Sequence, residues 1–328
     1  PSIEISCRFK SGLGYHHTTY MNTSSDQIDL IHILKNLWNR KYFIIFWTGL
    51  ISLASVLIAL NLQNYYTSSS KLSVAEDDYS NTSSALSQYS GLASMAGVSL
   101  PGSEDQSSYI LAKLHSLDFL DLLLEKNSNI VPSIIAPGEY NHEDKNLIIN
   151  PKKYNIQTKE WVRSVAPPYS SIPSLEEIFK EFHKIMSIEQ DKKTKIITIS
   201  AEHISPIFSQ EIVQMTIQTF NQYSKDKDIN EANRALNFLR NESQSIEIKD
   251  INSTINSLIK VQLNKLMTAE MRENYSLEII DPPNLPQKKS APIRSIICII
   301  AFLFGIISSI LWVTISKYIL YPLKEKKL

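Results

Sequence analysis

The chain has 328 residues with 33 basic and 33 acidic side chains, so its formal charge is zero, and 43% of its residues are apolar. That balance excludes the basic face of a nucleic-acid binder, and two cysteines, Cys7 and Cys298, exclude a disulfide framework or a Cys-rich metal centre. With only 8 glycines there is little room for phosphate-cradling loops, and no P-loop, dinucleotide-binding or nucleophile-elbow motif occurs.

Residues 1–20 precede Met21 and hold no apolar run, so they do not read as a signal peptide. They are expected to be a non-native or upstream segment, which sets aside Cys7 and the His16–His17 pair. Residues 21–41 read as an amphipathic cytoplasmic segment: Ser24 and Gln27 have capping-box spacing, and Ile28, Ile31, Leu34 and Trp38 recur on one face. Residues 42–62 (YFIIFWTGLISLASVLIALNL) and 295–315 (SIICIIAFLFGIISSILWVTI) carry no ionisable charge. As helices at ~1.5 Å per residue, such runs reach roughly 31 Å, enough to cross a hydrocarbon core of ~30 Å. They predict transmembrane helices over 42–62 and 293–316, the second with a proline-rich approach at 282–292.

Lys35, Arg40 and Lys41 stand before the first span, and Lys317, Lys324, Lys326 and Lys327 follow the second. The positive-inside rule then places both termini in the cytoplasm, 317–328 as a basic tail, and residues 63–292 on the far side of the membrane. That exported segment carries 23 basic and 29 acidic residues and no cysteine.

Within it, Tyr66–Val74 is polar and β-prone and predicts a first strand. Residues 80–108 are rich in Ser, Asn, Gly and Ala and read as a mobile loop or weak helix. Tyr109–Lys126 has helical spacing, 127–174 is irregular and proline-studded, and Leu175–Met186 is a second amphipathic helix. Lys195–Ala201 is a strand whose expected neighbour is Tyr275–Ile280. Between them, 206–273 holds no glycine and no proline after Pro206, and its apolar periodicity predicts long helices. That is more helix than the flanking strands can cover, so part of it should project as a hairpin whose apolar stripes require further copies of the chain. The expected fold class is α+β: a large periplasmic α/β base domain and a long extended helical hairpin between two transmembrane helices.

Candidate catalytic groups are sparse. His115 and His183 lie within amphipathic helices and read as surface or boundary residues. His142–Glu143–Asp144 reads as a solvated turn rather than a cation site, Glu202–His203 as a local turn or contact, and Lys192–Lys193–Lys195 as a basic turn. No nucleophile or paired carboxylate accompanies them at a recognisable spacing, so no catalytic, cofactor or metal residue is assigned and no enzyme is expected. Two features carry more information. Pro282, Pro283, Pro286 and Pro292 make the approach to the second span extended and semi-rigid. Ala301, Gly305 and Ser309 recur every fourth residue, a small-residue ladder that suits either close helix contact or an ordinary lipid-facing helix.

The segments IDLIHILKNLW, GLASMAG, AKLHSLDFL, INPKKYN with WVRSVAPP, FKEFHKIMSIEQDKKTKIITISAEHISP and ENYSLEIIDPPNLPQKKSAPIRS together resemble the Wzz-type chain-length determinants, the polysaccharide co-polymerases of Gram-negative inner membranes. The resemblance runs from about Ile28 to Tyr318. The family's second span is richer in glycine, whereas here Gly305 stands alone between Ala301 and Ser309. Kinase-bearing relatives have a phosphate-binding domain and a tyrosine-rich tail, neither of which follows Ile315 here. The resemblance implies a non-enzymatic role without cofactors: an inner-membrane homo-oligomer that sets the modal length of O-antigen or a related glycan, working with a separate polymerase, membrane lipid and the growing chain. The alternatives are a two-pass periplasmic sensor or receptor and a membrane-anchored glycan-binding scaffold. A glycan-modifying enzyme lacks a catalytic constellation.

Overall fold

The computed structural model describes residues 37–75, 103–245 and 249–316. The capping-box segment, GLASMAG and the basic tail lie outside the described residues, as do residues 1–20. The described residues divide into two units, one holding the chain up to Leu60 and from Arg294 onward, the other Asn61–Ile293.

The first unit contains two long apolar helices, α1 (Lys41–Asn61) and α8 (Arg294–Ile315). Both are long and apolar enough to cross a membrane, and little of either is buried in the structure. The residues that are buried are small or polar: Thr48, Ser55 and Ala59 on α1, and Gly305, Ser309 and Val313 on α8.

The second unit is built on a four-stranded antiparallel sheet in the order β6-β7-β1-β8. Strand β1 (Tyr66–Val74) has the expected bounds. The helical stretch expected at Tyr109–Lys126 is two helices, α2 (Ser103–Leu114) and α3 (Leu117–Lys126). The break has a local cause: Ser116 adopts an extended backbone and its Oγ accepts the Phe119 N–H at 3.1 Å, so it caps a new helix instead of continuing the old one.

The stretch expected to be irregular is ordered. After α4 (Val131–Ile135) come two small hairpins, β2 (Pro137–Asn141) with β3 (Asn146–Ile149), and β4 (Tyr154–Asn155) with β5 (Glu160–Trp161). Their turns are set by side-chain oxygens of Asn141 and Asn155 accepting backbone N–H groups two residues on, both at 2.9 Å. At Gly138 a Cβ would stand 2.5 Å from the Ile148 carbonyl oxygen, so the first hairpin admits no side chain there.

Helix α5 (Leu175–Ile185) leads directly into β6 (Met186–Gln190), a strand not anticipated, and then into β7 (Ile197–His203). Strand β8 (Leu277–Asp281) exists, but its partner is β1 and not β7, whose neighbours are β6 and β1.

Helix α6 (Pro206–Ser245) has 40 residues and α7 (Lys249–Met271) 23. The first half of α6 covers the sheet, where Ile212, Val213, Ile217 and Phe220 join one core with Leu72, Ile197, Ile199, Phe119 and Phe182. Further along, Leu239 meets Ile255 and Leu258 of α7 in a separate, smaller cluster. Lys265 pairs with Asp228 at 2.8 Å, so the two helices run antiparallel. A 40-residue helix is about 60 Å long, well beyond the span of a 7-residue strand.

Candidate functional site

The proline-rich approach lies along β1. Proline has no backbone N–H, so the sheet ladder cannot continue past Asp281. The carbonyls of this arm remain, and side chains reach them. Ser70 Oγ donates to the Asp281 carbonyl at 2.7 Å, Ser68 Oγ to that of Asn284 at 2.7 Å, and Gln210 Nε2 to that of Pro283 at 2.9 Å. Near the arm's far end, the Ser290 N–H donates to the Tyr65 carbonyl at 2.8 Å. This explains why β1 is serine-rich: Ser68 and Ser70 are fully buried, and a small hydroxyl is the donor that a proline-bearing neighbour requires. Pro286 is buried, Pro283 and Pro292 are half-buried and Pro282 is exposed.

The ladder residues belong to the other unit. Gly305 and Ser309 are buried and Ala301 half-buried. A Cβ at Gly305 would stand 3.2 Å from Thr48 Cα, so the two helix backbones approach closely at this position. The hydroxyls nearby are satisfied within their own helices, Thr48 Oγ1 donating to the Ile44 carbonyl and Ser309 Oγ to the Ile306 carbonyl, both at 2.8 Å.

Several polar residues not singled out from the sequence organise the sheet unit. Asn221, buried on α6, accepts the N–H groups of Ser276 and Leu277 at 2.9 and 2.7 Å and donates to the Leu277 carbonyl at 3.0 Å, which fixes the start of β8. Arg163 is buried and forks onto the Glu177 carboxylate, with Nη2 2.7 Å from Oε2. Its Nε and Nη2 also donate to the carbonyls of Ser171 and Ser170 at 2.7 and 2.9 Å. The Arg163 hydrogen bond holds the Glu177 carboxyl below its ordinary range. One arginine thereby pins the proline-bearing loop to α5.

His203 ends β7 as a buried residue. Its Nδ1 accepts the Ser205 N–H and its Nε2 donates to the Ser133 carbonyl, both at 3.1 Å, so the ring is a neutral tautomer at the corner into α6. Burial pushes this imidazole down to about 4. His142–Glu143–Asp144 forms the β2–β3 turn, with the His142 ring 4.9 Å from that of Tyr140. Lys192–Lys193–Lys195 forms the β6–β7 turn, organised by Asp191 Oδ1 accepting the N–H groups of Lys193 and Thr194. His115 and His183, each expected as a surface or boundary residue, stand side by side, Nδ1 to Nε2 at 3.4 Å.

Between α2 and α6, Lys227 Nζ donates to the Tyr109 hydroxyl at 3.0 Å, and Lys113 lies over the Tyr223 ring at 4.6 Å. Partial burial raises the Tyr109 phenol, but hydrogen bonds from Tyr223 and Lys227 and the nearby lysine charges outweigh it, so the group lies below its ordinary range. This cluster ties α2 to α6. Among the described residues, no three His, Cys, Asp or Glu side chains come together as a metal-holding group.

A mixed helix–sheet unit together with two long, outward-apolar helices fits a membrane-anchored α+β protein. The family model described as the Wzz chain length determinant protein matches residues 26–125. That match covers 100 of the chain's 328 residues and agrees with the Wzz-type resemblance of the motifs. Among solved structures, a full-length bacterial polysaccharide co-polymerase is similar at 14% identity and a TM-score of 0.41, over 87% of this chain and 96% of that one. No curated protein matches the chain.

Proposed function

We propose that this protein regulates the modal length of lipopolysaccharide O-antigen or a related surface polysaccharide. It does so without catalysis, as an oligomeric two-pass co-polymerase of the inner membrane beside a separate polymerase. The observation that carries the reading is the chain-length-determinant match over residues 26–125. The two apolar helices support membrane anchoring, and the flanking basic residues support cytoplasmic termini with residues 63–292 periplasmic. The hairpin supports self-association: Phe238, Leu263, Met267 and Met271 are exposed on α6 and α7, the last at 81%. In this reading the proline arm couples the periplasmic unit to the second span, and Ala301, Gly305 and Ser309 form a packing face.

The test is a gel profile of surface polysaccharide from cells with and without the gene. Deletion is expected to leave polymer synthesis intact and to broaden its length distribution. Complete loss of polymer in the deletion strain would refute the regulator reading and favour an enzyme.

A further inference from the structure

The turn between α2 and α3 and the end of α5 bring two imidazoles together. His115 Nδ1 lies 3.4 Å from His183 Nε2. The outer nitrogens are both occupied by backbone carbonyls: His183 Nδ1 is 3.0 Å from the Phe179 oxygen, and His115 Nε2 is 3.4 Å from the Ile188 oxygen. A carbonyl only accepts, so the 3.0 Å contact places the His183 hydrogen on Nδ1 and leaves its Nε2 with a lone pair facing His115. With the His115 hydrogen on Nε2, toward the Ile188 oxygen, the His115 Nδ1 presents a second lone pair to the same space. Two such lone pairs at this separation repel unless a positive centre lies between them.

We propose that the pair His115–His183 is a binding site for a divalent transition metal of the Zn²⁺ class. In tetrahedral coordination with Zn–N of about 2.0–2.1 Å, two ligand nitrogens stand about 3.3–3.4 Å apart, and the pair already has that separation. The outer hydrogen bonds are those of ligating histidines, which donate their second N–H to a carbonyl so that the ring and tautomer are held. Imidazole is a preferred donor for this class of ion. The His183 ring is further held by Phe179, 4.1 Å away centroid to centroid. His115 is exposed and His183 half-buried, so an ion has access and water completes its shell. A bound ion would clasp the α2–α3 turn to α5, two elements whose apolar residues share one core.

The test uses the full-length chain in detergent, stripped with a chelator and titrated with Zn²⁺ by calorimetry. His115→Gln and His183→Gln are each expected to lose one equivalent of Zn²⁺ or to bind it at least about tenfold more weakly. His142→Gln and a His16→Ser/His17→Ser double variant should keep that equivalent. In the wild-type chain, which needs no variant to fold, Zn²⁺ should protect His115 from diethyl pyrocarbonate. Zn²⁺ binding by either of the first two variants equal to wild type, loss confined to the double variant, or unprotected His115 would each overturn the site and leave a shared proton between the rings.

Discussion

The two units of this chain differ in the largest side chains they bury. In the sheet unit these are apolar, among them Phe119, Phe182 and Phe220. In the helix pair the buried positions are Thr48, Ser55, Ala59, Gly305, Ser309 and Val313, none of them aromatic, while Phe46 and Phe304 are 67% and 65% exposed. Water drives apolar area inward at about 25 cal/mol per Å². Lipid tails offer no such drive, so helices meet there through small residues that permit close contact. The contrast accords with the spanning role proposed for α1 and α8.

The strongest way to break the comparison is a matched pair of truncations. Phe220→Ala removes a ring that is fully buried and 6.0 Å from that of Phe119, and should cost the sheet unit about 3–5 kcal/mol. Phe304→Ala should leave stability nearly unchanged, because its ring packs on no core. Denaturant midpoints followed by circular dichroism check both, and a large loss for Phe304→Ala would mean that its face is covered by protein.

A smaller effect comes from pH. The His203 imidazole is pushed down to about 4 in the folded chain, against about 6.5 for an unperturbed histidine. Between those values the unfolded chain binds more protons, so stability falls as pH drops through that window, by up to about 3 kcal/mol, and levels off below it. Melting of wild type and His203→Asn between pH 7 and about 4 measures this, and the variant should lose most of the slope. An unchanged slope would assign the acid sensitivity to other groups.

Arg163→Ala should cost about 2–3 kcal/mol, since it leaves the Glu177 carboxylate and two serine carbonyls without their donor. Arg163→Lys should recover only part of this, because an ammonium cannot fork. Full recovery by lysine in denaturant titrations would show that charge, not geometry, holds the loop.

The smallest effect on folding, and the sharpest on the proposed role, is expected from Gly305→Leu. Its side chain would press on the Thr48 backbone and force the helices apart. Protein abundance should stay normal while the polysaccharide length profile shifts. A normal profile at normal abundance would mean that the close approach of the two helices has no part in length control.

Much of the architecture was legible because its signals are local. Tyr66–Val74 is polar and β-prone, and the structure begins and ends β1 there. The glycine-free stretch from Pro206 admits little but helix, and α6 and α7 occupy it. The asparagine turns of 127–174 were also local signals, overshadowed by the prolines around them. The family motifs were legible in the same way, as contiguous strings of residues.

What remained hidden depended on partners far apart in the chain. An alternating segment such as Leu277–Asp281 suits any sheet edge, so only the packed structure could place it on β1 and insert β6 beside β7. Ser68 and Ser70 look like surface residues until the proline arm brings the carbonyls of Asn284 and Asp281 to them, from 216 and 211 residues later. His115 and His183, 68 residues apart, meet only when α3 and α5 pack on the same core. The sequence by itself determined the apolar helices, the first strand and the long hairpin, because hydropathy and periodicity are properties of neighbouring residues. Tertiary structure alone decided the strand order and every polar site, because a hydrogen bond or a ligand pair is a property of distance in space.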